Sequence, residues 1–398
     1  MFKHKNNIKR VFAMFFIFIL VIEFIRSNSY LRIQYLLSYL GQEKLTSESI
    51  TVDSLESEFS SNIYLKNKYL NLNGAMAGIL GMQGFYSNIG IYVTDDNYIV
   101  SPSNYTTTDY EYDETVALRD FLEENGIQFL YVNEPTKYID DNLFLNEFGI
   151  ETYSNRNADK FLSRIHEANI NTLDLRDNIK SEGLNIQDLF YRTDHHWTVP
   201  AGLWATKIIA QKLNDDYGYN IDLSIYNDEN YVTKEWKNCW LGEQGRKVGA
   251  PYVGLDNYIE VKPTFPTSYV FIKTDGTVCD GTFDSFIDES IYKPNNDIYD
   301  SITWHYSYDR IDCINNNVAN GKILIIGDSY EHVTQPFLSL GVHEVHSLIM
   351  RKFDDSFSLR NYILKNEYDT VIVAYAQFMI GAHDDETSSQ YRMFKFDY

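Results

Sequence analysis

"KILIIGDSYEHVTQPFL", residues 322–338, decides the fold. Lys322 to Ile326 form a short, mostly apolar run of the kind that makes a buried strand. Gly327 permits a tight exit, Asp328 and Ser329 sit at the turn, and the following pattern predicts a helix from near Tyr330. A strand running straight into a helix is half of a parallel βαβ unit, and the flanking sequence repeats the rhythm. Downstream, "HEVHSLIM" (343–350) reads as a strand, "SFSLRNYILKN" (356–366) as a helix and "YDTVIVAYA" (368–376) as a strand. Upstream, helices are predicted over 113–126, 156–170 and from Thr198 to about Leu213, with strands over 127–135 and 171–177. "GIYVTDDNYIV" (90–100) alternates around a turn signal and reads as a hairpin. Residues 214–320, rich in Tyr, Asn, Asp and Gly, read as a mainly β insertion. Strands alternating with helices imply an α/β fold, a mostly parallel sheet flanked by helices.

In such a sheet, sites form at the carboxyl ends of the strands. Ser329 falls there, at a helix N-terminus, where backbone N–H groups and the helix dipole favour an oxyanion. Asp and Ser are also ordinary helix caps, so the turn alone fits a nucleophile or a structural turn. A serine becomes a nucleophile only when a base takes its proton and a third group orients that base.

"LFYRTDHHWTVPAG", residues 189–202, offers both partners. In extended chain, residues two apart point the same way, so Asp194 can meet His196 while His195 points away. A structural loop with packed histidines is the alternative. A metal site built from Asp194, His195 and His196 is disfavoured, because immediate neighbours converge poorly on one tetrahedral ion and no HExxH spacing accompanies them. Neither a metal nor a cofactor is required.

The chain has 398 residues, 44% of them hydrophobic, enough for a large core. A formal net charge of −22 argues against nucleic acid as a partner, since phosphate needs a basic face. Three cysteines, Cys239, Cys279 and Cys313, are too few for a disulfide scaffold and allow at most one bridge. At the N-terminus, Lys3, Lys5, Lys9 and Arg10 precede an apolar run over 11–25 that is broken only by Glu23. A positive flank before an apolar run reads as an export signal. The run spans about 22 Å as a helix against roughly 30 Å of hydrocarbon. No small-residue cleavage site follows. An uncleaved anchor over residues 1–29 is therefore favoured over a cleaved signal peptide, with a stalk or peripheral segment over 30–73 and the α/β domain over 74–398. The expected location is the cell membrane, with the domain outside.

D-H-H-W followed far downstream by a G-D-S serine resembles the DHHW protein family. Through it, the chain is similar to the SGNH-hydrolase-like, AlgX- and AlgJ-like proteins of alginate O-acetylation. Two weaker motifs accompany the pair: "EPTKYI" (134–139), similar to a P-x-K turn after a strand, and "GEQGRKVG" (242–249), similar to a glycine-arginine loop. The resemblance implies an SGNH-hydrolase-like fold over roughly 74–380, with Ser329 as nucleophile, His196 as base and Asp194 as orienting acid. His195 departs from the threonine of the related motif. The implied activity is transfer or removal of an O-acyl group, acetyl foremost, on an envelope or exported polysaccharide, with a membrane-bound acyltransferase as donor partner. The Ser329 N–H and the glycine-arginine loop, through Gly245 and Arg246, are the expected oxyanion donors. Tyr330, His195 and Lys137 are the remaining candidate substrate-binding residues. The rival reading is a non-catalytic scaffold that keeps the fold and binds polysaccharide or a membrane acylation assembly.

Overall fold

The computed structural model describes residues 66–82, 87–138, 140–287, 311–381 and 390–396, and isolated helical positions at 14, 17, 18, 21 and 22. The tail and most of the anchor run and of the stalk lie outside the described residues. No helix among the described residues is long and apolar enough to cross a membrane. By its contacts the chain divides into residues 1–73 and 74–398.

The strands are β1 (Tyr92–Val93), β2 (Ile99–Val100), β3 (Gln128–Glu134), β4 (Thr172–Asp174), β5 (Tyr231–Trp240), β6 (Asp256–Pro263), β7 (Tyr269–Lys273), β8 (Val278–Gly281), β9 (Ile311–Asn315), β10 (Lys322–Gly327), β11 (Glu344–Leu348) and β12 (Thr370–Ala376). The main helices are α1 (Lys66–Ile79), α2 (Asp109–Glu124), α3 (Asn142–Phe148), α4 (Ser154–Glu167), α5 (Leu175–Glu182), α6 (Val199–Tyr217), α7 (Glu243–Val248), α8 (Glu331–Leu338) and α9 (Leu359–Asn366).

Eight strands form one sheet in the order β4-β3-β12-β10-β11-β9-β7-β8. The first five are parallel, in registers such as Ile326 opposite Leu348 and Val373, and Ala376 opposite Glu134. Their near-continuous apolar sequences follow from burial on both faces. Leu130, Val132, Ile323, Ile325, Ile372 and Ala374 pack on one side with residues of α6 and α8. Phe129, Tyr131, Leu324, Ile326, Val371 and Val373 pack on the other with residues of α2, α4 and α9.

Within the region read as a mainly β insertion, β7 and β9 pair antiparallel, and β9 pairs antiparallel with β11, so these strands extend the main sheet. β5 and β6 form a two-stranded ribbon of their own, as do β1 and β2. The strand expected over 171–177 ends at Asp174, whose side chain accepts from the Arg176 N–H (3.1 Å) and caps α5. All three cysteines are unpaired.

Helices α6 and α8 explain how the two distant motifs meet. Each begins just after its motif, α6 behind Trp197 and α8 behind Ser329. Thr198 caps α6 by accepting from the Ala201 N–H (3.3 Å), and Pro200 sits in its first turn. Gly202 brings the helices together: a Cβ there would stand 2.6 Å from Val333 Cγ2. Packing the first turns side by side sets the two motifs against each other at the carboxyl edge of the sheet.

Candidate active site

The turn that carries Ser329 is held by Asp328. Its buried carboxylate accepts from the Tyr330 N–H (2.8 Å) and from the Ala376 N–H at the end of β12 (2.9 Å). Gly327 does not need an unusual backbone angle. It leaves room for Glu331, whose side chain would overlap a Cβ at that position. Glu331 and Glu134 lie buried together, and burial followed by carboxylate repulsion pushes the Glu134 carboxyl well up, so the pair retains a proton.

Residues 189–198 form a tight loop closed by a Phe190–Trp197 bridge and by the Thr198 N–H on the Leu189 carbonyl (2.8 Å). Asp194, fully buried, accepts from the His196 N–H at 3.1 Å and meets His196 Nδ1 at 2.5 Å. His196 Nε2 lies 2.6 Å from Ser329 Oγ. The carboxylate and imidazole therefore meet through a turn in which the side chain bonds its own backbone two residues on, rather than through extended chain. The same turn alters the expectation for His195. Its ring stacks beside His196 at 3.9 Å between centroids, and its Nδ1 stands 3.5 Å from Asp194 Oδ1.

The ligating atoms of Asp194, His195 and His196 do come within 4.8 Å of one another, closer than adjacency suggested. Both His196 nitrogens already face Asp194 and Ser329, so an ion bound by His196 would have to displace one of those two hydrogen bonds.

Burial alone would raise the Asp194 carboxyl. The facing His196, its hydrogen bond, His195 and the Glu243 N–H outweigh burial and hold the carboxyl well below the usual carboxylate range. Burial, and then His196, push the His195 imidazole down, which keeps that ring neutral.

The glycine-arginine loop has a different task from the one expected of it. The Gly245 N–H is committed to the Thr193 carbonyl (2.8 Å) and is not an oxyanion donor. The Glu243 N–H donates to Asp194 Oδ2 (2.6 Å), and the Gly242 N–H to Thr193 Oγ1 (2.8 Å). Gly242 is indispensable by space, since a Cβ would stand 2.6 Å from Asp194 Oδ2 and from the Thr193 carbonyl. Gly245 likewise abuts Leu241 and Thr193. Arg246 is half-buried in α7, its N–H on the Gly242 carbonyl (2.9 Å).

Tyr330 does not line a substrate pocket either. It is fully buried; its hydroxyl donates to the His195 carbonyl (2.6 Å), and its own carbonyl accepts from Trp197 Nε1 (3.3 Å). Tyr330 and Trp197 thus pin the histidine loop to the serine turn. Lys137 Nζ donates to the carbonyls of Ile99 (2.8 Å) and Arg192 (2.9 Å), a clamp between β2 and the same loop. Burial pushes its ammonium down to about 7. The Ser329 N–H has no acceptor among the described residues, which leaves it available to an oxyanion.

Asp256 was not foreseen. At the start of β6, its buried carboxylate accepts from the Arg192 N–H (3.1 Å), the Thr193 N–H (2.9 Å) and Thr193 Oγ1 (2.6 Å). An aspartate more than 60 residues from the loop carries no local signal of that role.

Residues 94–235 match the family described as "SGNH hydrolase-like domain, acetyltransferase AlgX". The match ends before Ser329, which only the fold brings to the site. Among solved structures, PatB1 of Bacillus cereus with a sulfonyl adduct superposes with a TM-score of 0.60 at 20% identity, over 77% of this chain and 100% of that one. A DHHW family protein from Eubacterium siraeum superposes with a TM-score of 0.55 at 15% identity, over 77% and 94%. No curated protein sequence matches. The chain thus has an SGNH-hydrolase-like α/β fold, with residues 94–235 similar to the AlgX domain and an architecture similar to that of PatB1 and the DHHW family protein.

Proposed function

We propose that the chain is a serine-dependent O-acyltransferase or esterase, acting through Ser329, His196 and Asp194 on acetyl esters of an envelope or exported polysaccharide. One observation carries the reading: the unbroken hydrogen-bond line from Asp194 through His196 to Ser329. His196 Nε2 takes the Ser329 proton as Oγ bonds to the ester carbonyl carbon. Asp194 holds the imidazolium that forms, and the Ser329 N–H faces the oxyanion. The carbon–oxygen bond to the leaving group then breaks, and His196 returns the proton to that oxygen. In the second half, a sugar hydroxyl gives its proton to His196 and attacks the acyl carbon, the bond from that carbon to Ser329 Oγ breaks, and His196 passes the proton to Oγ; water in place of the sugar makes the protein an esterase.

The AlgX family description, which names an acetyltransferase, favours acetyl transfer; the donor in this reading is a membrane-bound acyltransferase. The test is covalent. A sulfonyl fluoride should add one sulfonyl group, and peptide mass spectrometry should find it on Ser329. The similarly folded PatB1 bears such an adduct. Labelling elsewhere, or none, would leave the scaffold reading.

We further propose that the apolar run over residues 11–25 anchors the domain outside the membrane, with the Lys3–Arg10 flank inside. Alkaline phosphatase fused after Tyr398 should be active. A silent phosphatase with a fluorescent GFP fusion would place the chain inside and remove exported polysaccharide as its substrate.

A further inference from the structure

A cavity of about 380 Å³ opens beside the triad, bounded by Val100, Pro102, Tyr138, His195, Gln244 and Phe378. Most of these surfaces are apolar. Two polar atoms stand out. Gln244 Nε2 reaches Ser101 Oγ at 3.3 Å, while its Oε1 is buried with no hydrogen-bond partner among the described residues. No hydrogen bond among the described residues engages His195 Nε2 either. A buried acceptor without a donor is costly and is ordinarily satisfied by something that enters the site.

The chemistry says which half of the ester belongs there. His196 Nε2 must hand its proton to the departing oxygen and take one from the incoming hydroxyl. The alcohol oxygen therefore lies on the imidazole side of Ser329, and the acyl carbon chain lies away from it. The His195 ring, 3.9 Å from His196, continues that imidazole side into the cavity. A volume of about 380 Å³ falls within the range of small-molecule pockets and far exceeds what an acetyl methyl needs.

Resting on the serine chemistry proposed above, we infer that this cavity seats one pyranose ring of the acceptor. The apolar walls take the ring's C–H surface, and the Gln244 amide in the cavity wall bonds a hydroxyl next to the one that reacts. Gln244 is then a specificity residue. The acceptor's reacting O–H passes its proton to His196, its oxygen bonds to the acyl carbon, the bond from that carbon to Ser329 Oγ breaks, and His196 returns the proton to Oγ.

The experiment uses the full chain acylated by p-nitrophenyl acetate. Methyl glucopyranoside, methyl mannopyranoside and methyl galactopyranoside serve as acceptors, and glycerol as the acyclic control. At least one pyranoside should be acetylated saturably and more efficiently than glycerol. Gln244→Leu, which removes the amide at near-constant volume, should raise that pyranoside's KM by about tenfold or more, the cost of one hydrogen bond to a buried group. Ser103→Phe, which fills the cavity from another wall, should do the same. Both variants should lower the ratio of transfer to hydrolysis. A burst of p-nitrophenol with pyranosides no better than glycerol would overturn the assignment and leave the serine chemistry standing. So would an acceptor KM that neither substitution moves. Faster acylation by butanoyl and hexanoyl esters, reversed by Ser103→Phe, would give the cavity to the acyl chain and overturn it as well. No burst at all would remove the serine chemistry itself, and the inference with it.

Discussion

Ser329→Ala is expected to lower turnover of p-nitrophenyl acetate by roughly 10⁴- to 10⁶-fold, the scale on which a triad nucleophile acts. Its Oγ is the atom His196 Nε2 faces, at 2.6 Å. The substitution deletes one oxygen and leaves the turn's supports intact, because Asp328 bonds the backbone of Tyr330 and Ala376. The melting temperature should therefore stay close to that of the wild type. Activity is read by p-nitrophenol release and folding by thermal melting. Wild-type turnover in a folded Ser329→Ala protein would refute the mechanism and leave a binding scaffold.

Asp194→Asn is expected to cost about 10⁴-fold in kcat, the loss seen when an orienting carboxylate becomes an amide. The cause is a conflict over donors. Asp194 accepts from the His196 N–H and Nδ1 on one oxygen and from the Glu243 N–H on the other. An amide has one accepting oxygen and one donating nitrogen. If its oxygen faces His196, its NH₂ group opposes the Glu243 N–H. If it turns round, the NH₂ faces His196 Nδ1 and favours the tautomer that carries its proton on Nε2. That imidazole cannot take the Ser329 proton. Asp194 is fully buried, so water cannot relieve the conflict. Sulfonyl labelling of Ser329 should slow in parallel with ester turnover. A variant within tenfold of the wild type would show that another group orients His196.

The strand-turn-helix at 322–338 was legible because apolar periodicity and a turn signal are local. The same holds for β3, β11, β12 and α9. The pairing of Asp194 with His196 was legible too, although by a turn rather than by extended chain. What misled was any inference about where a neighbouring side chain points. Tyr330 follows Ser329, yet it faces inward to bond the His195 carbonyl. Gly245 lies in a suggestive loop, yet its N–H serves Thr193.

By itself the sequence determined the α/β rhythm, the place of a serine at the end of a strand, and the proximity of one carboxylate to one imidazole. Each of these rests on residues within a few positions of one another, so local geometry suffices. Only the tertiary structure decided that the serine and the imidazole, 133 residues apart, share a hydrogen bond. It does so because Gly202 lets α6 lie against α8 and because Asp256, Glu243 and Lys137 fasten the histidine loop from three distant segments. Those contacts depend on which surfaces pack together once the sheet has formed, and no short-range pattern in the chain encodes them.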